Sequence, residues 1–123
     1  MSIYDYETFE FKSFNELELI EQRYTNKKIN LLHRYKSLIW QGPIFAKILS
    51  EKLKKTKWNY IVEIGDNIGL TFLLISLKIK TLALNKEISE RDVKKILSIT
   101  QKKKIKLLTI EKLKLKKISN KNF

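Results

Sequence analysis

Apolar residues along this chain fall into short runs separated by lysine-rich polar stretches, and the spacing within each run predicts an element. Tyr4, Tyr6, Phe9 and Phe11 supply β-favouring side chains for a first strand over Ile3 to Phe11. Phe14, Leu17, Ile20 and Tyr24 then recur at helical spacing behind Ser13, with Glu16 three residues on as in a capping box, which predicts a helix over 14–25. Ile29 to Leu32 reads as a second strand, and His33 to Gly42 as the chain's longest loop. Pro43 opens a helix with Ile44, Phe45, Ile48, Leu49 and Leu53 on one stripe and Lys47, Glu51, Lys54 and Lys55 opposite. The run Trp58 to Asn85 is the most apolar part of the chain. It predicts a strand ending at Ile64, a turn at Gly65-Asp66-Asn67, a helix over Ile68 to Ile79 and a strand over Thr81 to Leu84. Asn85 or Ser89, the latter with Asp92 at capping-box spacing, starts a further helix carrying Val93, Ile96, Leu97 and Thr100, and Ile105 to Ile110 is a last strand. Residues 111–123 alternate lysine with leucine, as an edge strand guarded by lysines or a tail.

Helices alternate with short, continuously apolar strands, which favours a parallel sheet covered on both faces. The expected fold is a single α/β domain over 1–123, a three-layer α/β/α sandwich of about five mostly parallel strands in flavodoxin-like or Rossmann-like order. Ligands in such sheets sit beyond the carboxyl ends of the strands. Here that rim comprises His33 and Arg34, Gly65 to Gly69, Asn85 with Lys86, and Glu111.

Composition narrows the chemistry. The chain of 123 residues has no cysteine and one histidine, so disulfides, thiol-ligated metals and histidine-rich metal sites are excluded. Its longest apolar run, Ile68 to Leu77, falls well short of the roughly 18 residues of a membrane span. The N-terminal sequence resembles neither a secretory signal nor a transit peptide, and a cytoplasmic location is expected. The net charge is +13, distributed unevenly: residues 1–26 hold six acids against two bases, so the rest of the chain carries +17. Lys94, Lys95, Lys102, Lys103, Lys104 and Lys106 are candidates for a polyanion-binding surface, through which nucleic acid could bind. The alternative is lysine as surface filler in an AT-rich genome. Arginine, the better fork for phosphates, occurs only at positions 23, 34 and 91.

The candidate ligand-binding residues are Gly65, Asp66, Asn67, Gly69, Glu63, His33 and Asn85. Two glycines four apart between a strand and a helix allow close backbone approach of an anion to a helix N-terminus, although the same residues serve as a plain tight turn capped by Asp66 or Asn67. His33 with Glu63 or Asp66 could form an acid–base pair if the strand tips meet, but no positioned serine or cysteine nucleophile accompanies them. Trp40, in the loop, either folds back on the core or contacts a partner. No cofactor and no metal are indicated.

The segment Val62-Glu63-Ile64-Gly65-Asp66-Asn67-Ile68-Gly69 looks like the first motif of Rossmann-type methyltransferases. It departs from that motif by Asn67 in place of the middle glycine and by Asn85 where an acid grips a ribose. Asp66 at a strand end is similar to the phosphoacceptor of receiver domains, without their cluster of acids after the first strand. The pieces Gln41-Gly42-Pro43-Ile44-Phe45-Ala46, Tyr60 to Leu70 and Asp92 to Gln101 together resemble a family of small α/β proteins of unknown function from alphaproteobacteria. That family's Cys-Gly-Asp-x-x-Gly turn is matched at Gly65, Asp66 and Gly69, with Ile64 in place of cysteine. The resemblance covers residues 29–110 and implies a bacterial cytoplasmic protein without supplying an activity. Three functions stay open: a non-enzymatic domain binding a small ligand or a protein at the strand rim, an RNA- or ribosome-associated protein, and a degenerate methyltransferase-like enzyme.

Overall fold

The computed structural model describes residues 2–65, 67–85 and 87–116. Six strands, β1 (Glu7–Phe11), β2 (Asn30–His33), β3 (Asn59–Ile64), β4 (Thr81–Leu84), β5 (Lys106–Thr109) and β6 (Lys114–Lys116), form one all-parallel sheet. Five α-helices connect them: α1 (Phe14–Tyr24), α2 (Tyr35–Gln41), α3 (Pro43–Leu53), α4 (Ile68–Ser76) and α5 (Glu90–Lys103). The chain is thus an α/β domain with a parallel sheet flanked by helices, as in Rossmann-like sandwiches, with six strands rather than five. The order is β5-β4-β3-β2-β1-β6. Successive strands lie side by side from β1 to β5, and the winding reverses only when β6 is laid against the free edge of β1.

Strand alternation divides the core between the two faces. Phe9, Phe11 and Leu31 pack with Leu17 and Ile20 of α1 and Leu49 of α3, while Val62, Ile64 and Leu82 pack with Leu38, Ala46, Leu74 and Ile96 of α2 to α5. The opposite face carries Leu32, Ile61, Ala83 and Leu108. Its covering layer is thin, made of Ile3 and Tyr4 from an N-terminal 3-10 turn (Ile3–Asp5) and Ile110 and Leu113 from a second 3-10 turn (Ile110–Lys112) and its exit. The short connection from β5 to β6 dictates the sheet's shape. Thr109 to Lys114 spans at most about 18 Å when extended, but five flat interstrand gaps would need about 24 Å. The sheet therefore curls toward its thinly covered face, bringing its two edges together over Leu113.

A polar ladder sets register at the start of the strands on that concave face. The Asn30 side chain donates to Thr8 Oγ1 at 3.0 Å and to the Ile3 carbonyl at 2.8 Å, and the Asn59 amide donates to Asn30 Oδ1 at 2.9 Å. Asn30 is fully buried. Such a residue specifies one pairing, because a slip by one position would leave its amide without partners.

Several boundaries differ from the sequence pattern. Residues 3–5 form a 3-10 turn capped by Ser2 and Asp5 instead of extending the first strand. The stretch expected as a loop over 33–42 contains α2. Local residues do not announce this helix, because Arg34 at its N-cap makes no side-chain capping bond. The cap comes from 28 residues away, where the Glu63 carboxylate accepts the Tyr35 N–H at 2.9 Å. α4 stops at Ser76 and not Ile79, since Lys78 turns left-handed with φ 66°. The lysine-leucine segment after Glu111 contributes β6 as an edge strand, and residues 117–123 lie outside the described residues.

Candidate functional site

The carboxyl ends of β1, β2 and β3 carry a charged network on the concave face. Glu63, 2% exposed, sits one position before the end of β3. Its Oε1 accepts the Tyr35 N–H at 2.9 Å and forms an ion pair with Arg34 Nε at 2.9 Å, and its Oε2 accepts the Asn85 amide at 2.9 Å. Arg34 extends its other arm to Glu10 Oε1 at 2.9 Å, so one guanidinium bridges two carboxylates on separate strands. A cavity of about 370 Å³ opens over this network, lined by Arg34, Glu63, Asn85, Glu87, Glu111 and the apolar Ile110, Leu113 and Leu115. Glu87 and Glu111 are exposed, and neither forms an ion pair with a described residue. In a chain of net charge +13, the described residues lining this cavity present three carboxylates and one guanidinium.

His33 is elsewhere. It pairs in register with Val62, so its side chain and that of Glu63 point to opposite faces of the sheet. The acid–base pair the sequence allowed between them is therefore not formed. His33 is fully buried among Phe11, Phe45 and Tyr60, with Nε2 2.6 Å from Gln41 Oε1 and Nδ1 2.6 Å from the Tyr60 hydroxyl. The Gln41 amide nitrogen donates to the Lys12 carbonyl at 2.9 Å, which turns its oxygen toward the ring. Nε2 then carries the proton, and the Tyr60 hydroxyl donates to Nδ1. Burial lowers the His33 pKa below 6.5 despite the opposing bond to Gln41, and burial also raises that of Tyr60.

A depressed histidine pKa has a defined consequence for stability. The unfolded chain takes up a proton at His33 below about pH 6.5, where the folded chain still resists it, so stability complete above that pH falls as pH drops through the folded pKa. Urea titrations at pH 7.5 and 5.5 should show this loss in the wild type and a smaller one in His33→Asn. Equal losses in both would remove His33 as the cause, and no second histidine exists to take its place.

Where it is described, the glycine turn packs against the chain itself. A Cβ on Gly65 would stand 2.5 Å from the Tyr35 ring, so the first residue of α2 lies over this glycine. Asn67 caps α4, its Oδ1 accepting the Leu70 N–H at 3.0 Å, and Gly69 lies in the first turn of that helix with only Asn67 Oδ1 near, at 3.5 Å from a built Cβ. None of the three lines the cavity among the described residues, and Asp66 lies outside them. Gly65→Ala should cost about 1–3 kcal/mol by overpacking and be relieved by a second change, Tyr35→Ala. Gly69→Ala should stabilise by about 0.5–1 kcal/mol, since alanine suits a helix and meets open space. Denaturant titration of the three variants checks this, and equal effects at both glycines would contradict it.

Trp40 lies on α2 and is 89% exposed, so it does not fold back on the core. The lysines at 94, 95, 102 and 103 project from α5, Lys104 ends that helix and Lys106 begins β5. All six are exposed. Among the described residues there is no cluster of His, Cys, Asp or Glu fit to hold a metal, and no helix long and apolar enough to cross a membrane.

Of the residues singled out from the sequence, Glu63 and Asn85 line the cavity, together with Arg34 and Glu111 of the expected rim. Glu10 and Glu87 were missed. Glu10 carries the same signal as Glu63, a carboxylate between apolar neighbours inside a strand, and such a charge needs a partner. Comparison with protein-family models, curated proteins and solved structures finds no match to this chain.

Proposed function

We propose that this protein is a non-enzymatic cytoplasmic binding domain, and that its ligand is a small organic cation held in the cavity at the carboxyl ends of the strands. The observation that carries this reading is the acidic lining of that cavity in an otherwise basic chain. Glu63 is neutralised by Arg34 and held by Asn85, which makes it a rigid floor. Glu87 and Glu111 have no cationic partner among the described residues, and they favour a ligand that brings a positive charge. Ile110, Leu113 and Leu115 offer the apolar wall that an alkylammonium would cover. Among the described lining residues an anion would meet three carboxylates against one guanidinium, so the polarity runs opposite to that of a phosphate-binding turn.

The test pairs isosteric ligands of opposite charge. Isobutylammonium and isobutyrate have similar shapes, and isothermal titration should give saturable binding for the amine alone. Glu87→Gln/Glu111→Gln, altering exposed residues only, should weaken it about tenfold, the scale of two partly screened ion pairs. Equal binding of amine and carboxylate, or an unchanged affinity in the double variant, would refute the reading. A native mass spectrum of gently purified protein adds the resident ligand, expected as a small mass lost in the same variant.

A further inference from the structure

At the opposite rim, where β4 and β5 begin, the chain uses one turn twice. α4 is followed by Lys78-Ile79-Lys80 and α5 by Lys104-Ile105-Lys106. In each, the first lysine is left-handed, φ 66° at Lys78 and 56° at Lys104, and these are the only non-glycine residues of positive φ among those described. In each, the following isoleucine N–H reaches back five residues, Ile79 to the Leu74 carbonyl at 3.2 Å and Ile105 to the Thr100 carbonyl at 2.9 Å. This is the Schellman closure, whose left-handed position is ordinarily glycine because a side chain there is strained. Lysine occupies that strained position both times. The turns are joined directly, since the Lys106 N–H donates to the Lys80 carbonyl at 2.9 Å.

Between the two turns runs a groove of about 770 Å³. Ile75, Ile79, Ile99 and Ile105 line it, with Phe72 at 38% exposure, and its charged lining residues are Lys78, Lys80, Lys103 and Lys104, with no acid among them. None of these four lysines forms an ion pair with a described residue. The turns bond the Leu74, Ile75, Thr100 and Gln101 carbonyls, so an anion here must be held by the lysines against the remaining helix-end carbonyls. An apolar trough edged by four unpaired ammonium groups has the complementarity of a molecule with a hydrocarbon body and an anionic end. Its size falls within the range of ligand pockets.

We propose that this groove binds a free single-chain anionic amphiphile of the fatty-carboxylate class, tail along the isoleucines and carboxylate between Lys78 and Lys104. The site is separate from the acidic cavity and does not depend on the reading of that cavity.

The test uses dodecanoate against dodecyltrimethylammonium, equal in tail and opposite in charge, both below micellar concentration, with displacement of anilinonaphthalene sulfonate as readout. Dodecanoate should bind saturably and at least about tenfold more tightly, because the tail contributes equally to both ligands. Lys78→Gly/Lys104→Gly removes two charges while relaxing both strained positions. It should raise the melting temperature by roughly 3–6 °C and still weaken dodecanoate about tenfold, a combination that misfolding cannot produce. Equal affinity for the two amphiphiles, or full dodecanoate affinity in the double glycine variant, would overturn the proposal. So would binding to phosphatidylglycerol vesicles without saturable binding of free dodecanoate, which would make the lysines a membrane-surface patch instead.

Discussion

Glu63→Ala is expected to destabilise the domain by about 2–4 kcal/mol, because a buried carboxylate that accepts from two donors and pairs with a guanidinium is lost. The change strands three groups at once: the Arg34 Nε–H, the Tyr35 N–H that begins α2, and the Asn85 amide. Against a total stability of about 5–15 kcal/mol for a domain, this is a large fraction. Glu10→Ala is the control, because Glu10 bonds the same guanidinium but is 34% exposed, so its loss should cost about 1 kcal/mol or less. Urea titration of both variants decides the matter. Similar small losses would mean that water replaces the network readily, and that Glu63 is not the anchor of the cavity.

The second large effect is expected at Leu113. It is 7% exposed and packs against Leu32, Ile61, Ala83 and Leu108 inside the curl of the sheet. Leu113→Ala should cost about 2–4 kcal/mol through lost burial and the void it leaves. Leu115, two residues on and 41% exposed, should tolerate alanine within about 0.5 kcal/mol. If the two leucines cost the same, the segment after β5 does not close the concave face. The comparison is direct because both belong to the lysine-leucine stretch, in which the sequence alone marks no leucine as special.

What could be read in advance was whatever the chain encodes locally. α1, α3, α4 and α5 begin at Ser13, Gly42-Pro43, Asn67 and Ser89, where capping residues or proline stand next to an apolar periodicity. The strands are short apolar runs and were placed within a few residues. α2 escaped because its cap is supplied across space by Glu63. The separation of His33 from Glu63 also escaped, because it depends on the register of β2 against β3, which is fixed partly by the Asn30–Asn59 bond. For the cavity, Arg34, Glu63, Asn85 and Glu111 follow from knowing where parallel strands end. Glu10, which joins the network through Arg34, required knowing that β1 lies beside β2, and the apolar wall that the segment after β5 returns to β1, and no local pattern carries either.

The placement of β6 also bears on the order in which the molecule can assemble. Every other strand pair joins neighbours in sequence, so β1 to β5 can accrete one βα unit at a time, each closing a short loop. Only the β1–β6 pair spans the chain, its ion pair Lys116–Glu7 bridging 109 residues. Until residues 114–116 arrive, β1 is a bare edge, open to pairing with another molecule. In pulsed hydrogen exchange during refolding, amides bonded across the β1–β6 seam should gain protection last. The strand that pairs last is thus the one that covers a five-residue edge with a three-residue one bearing two lysines, a shorter and more charged edge for another chain to meet.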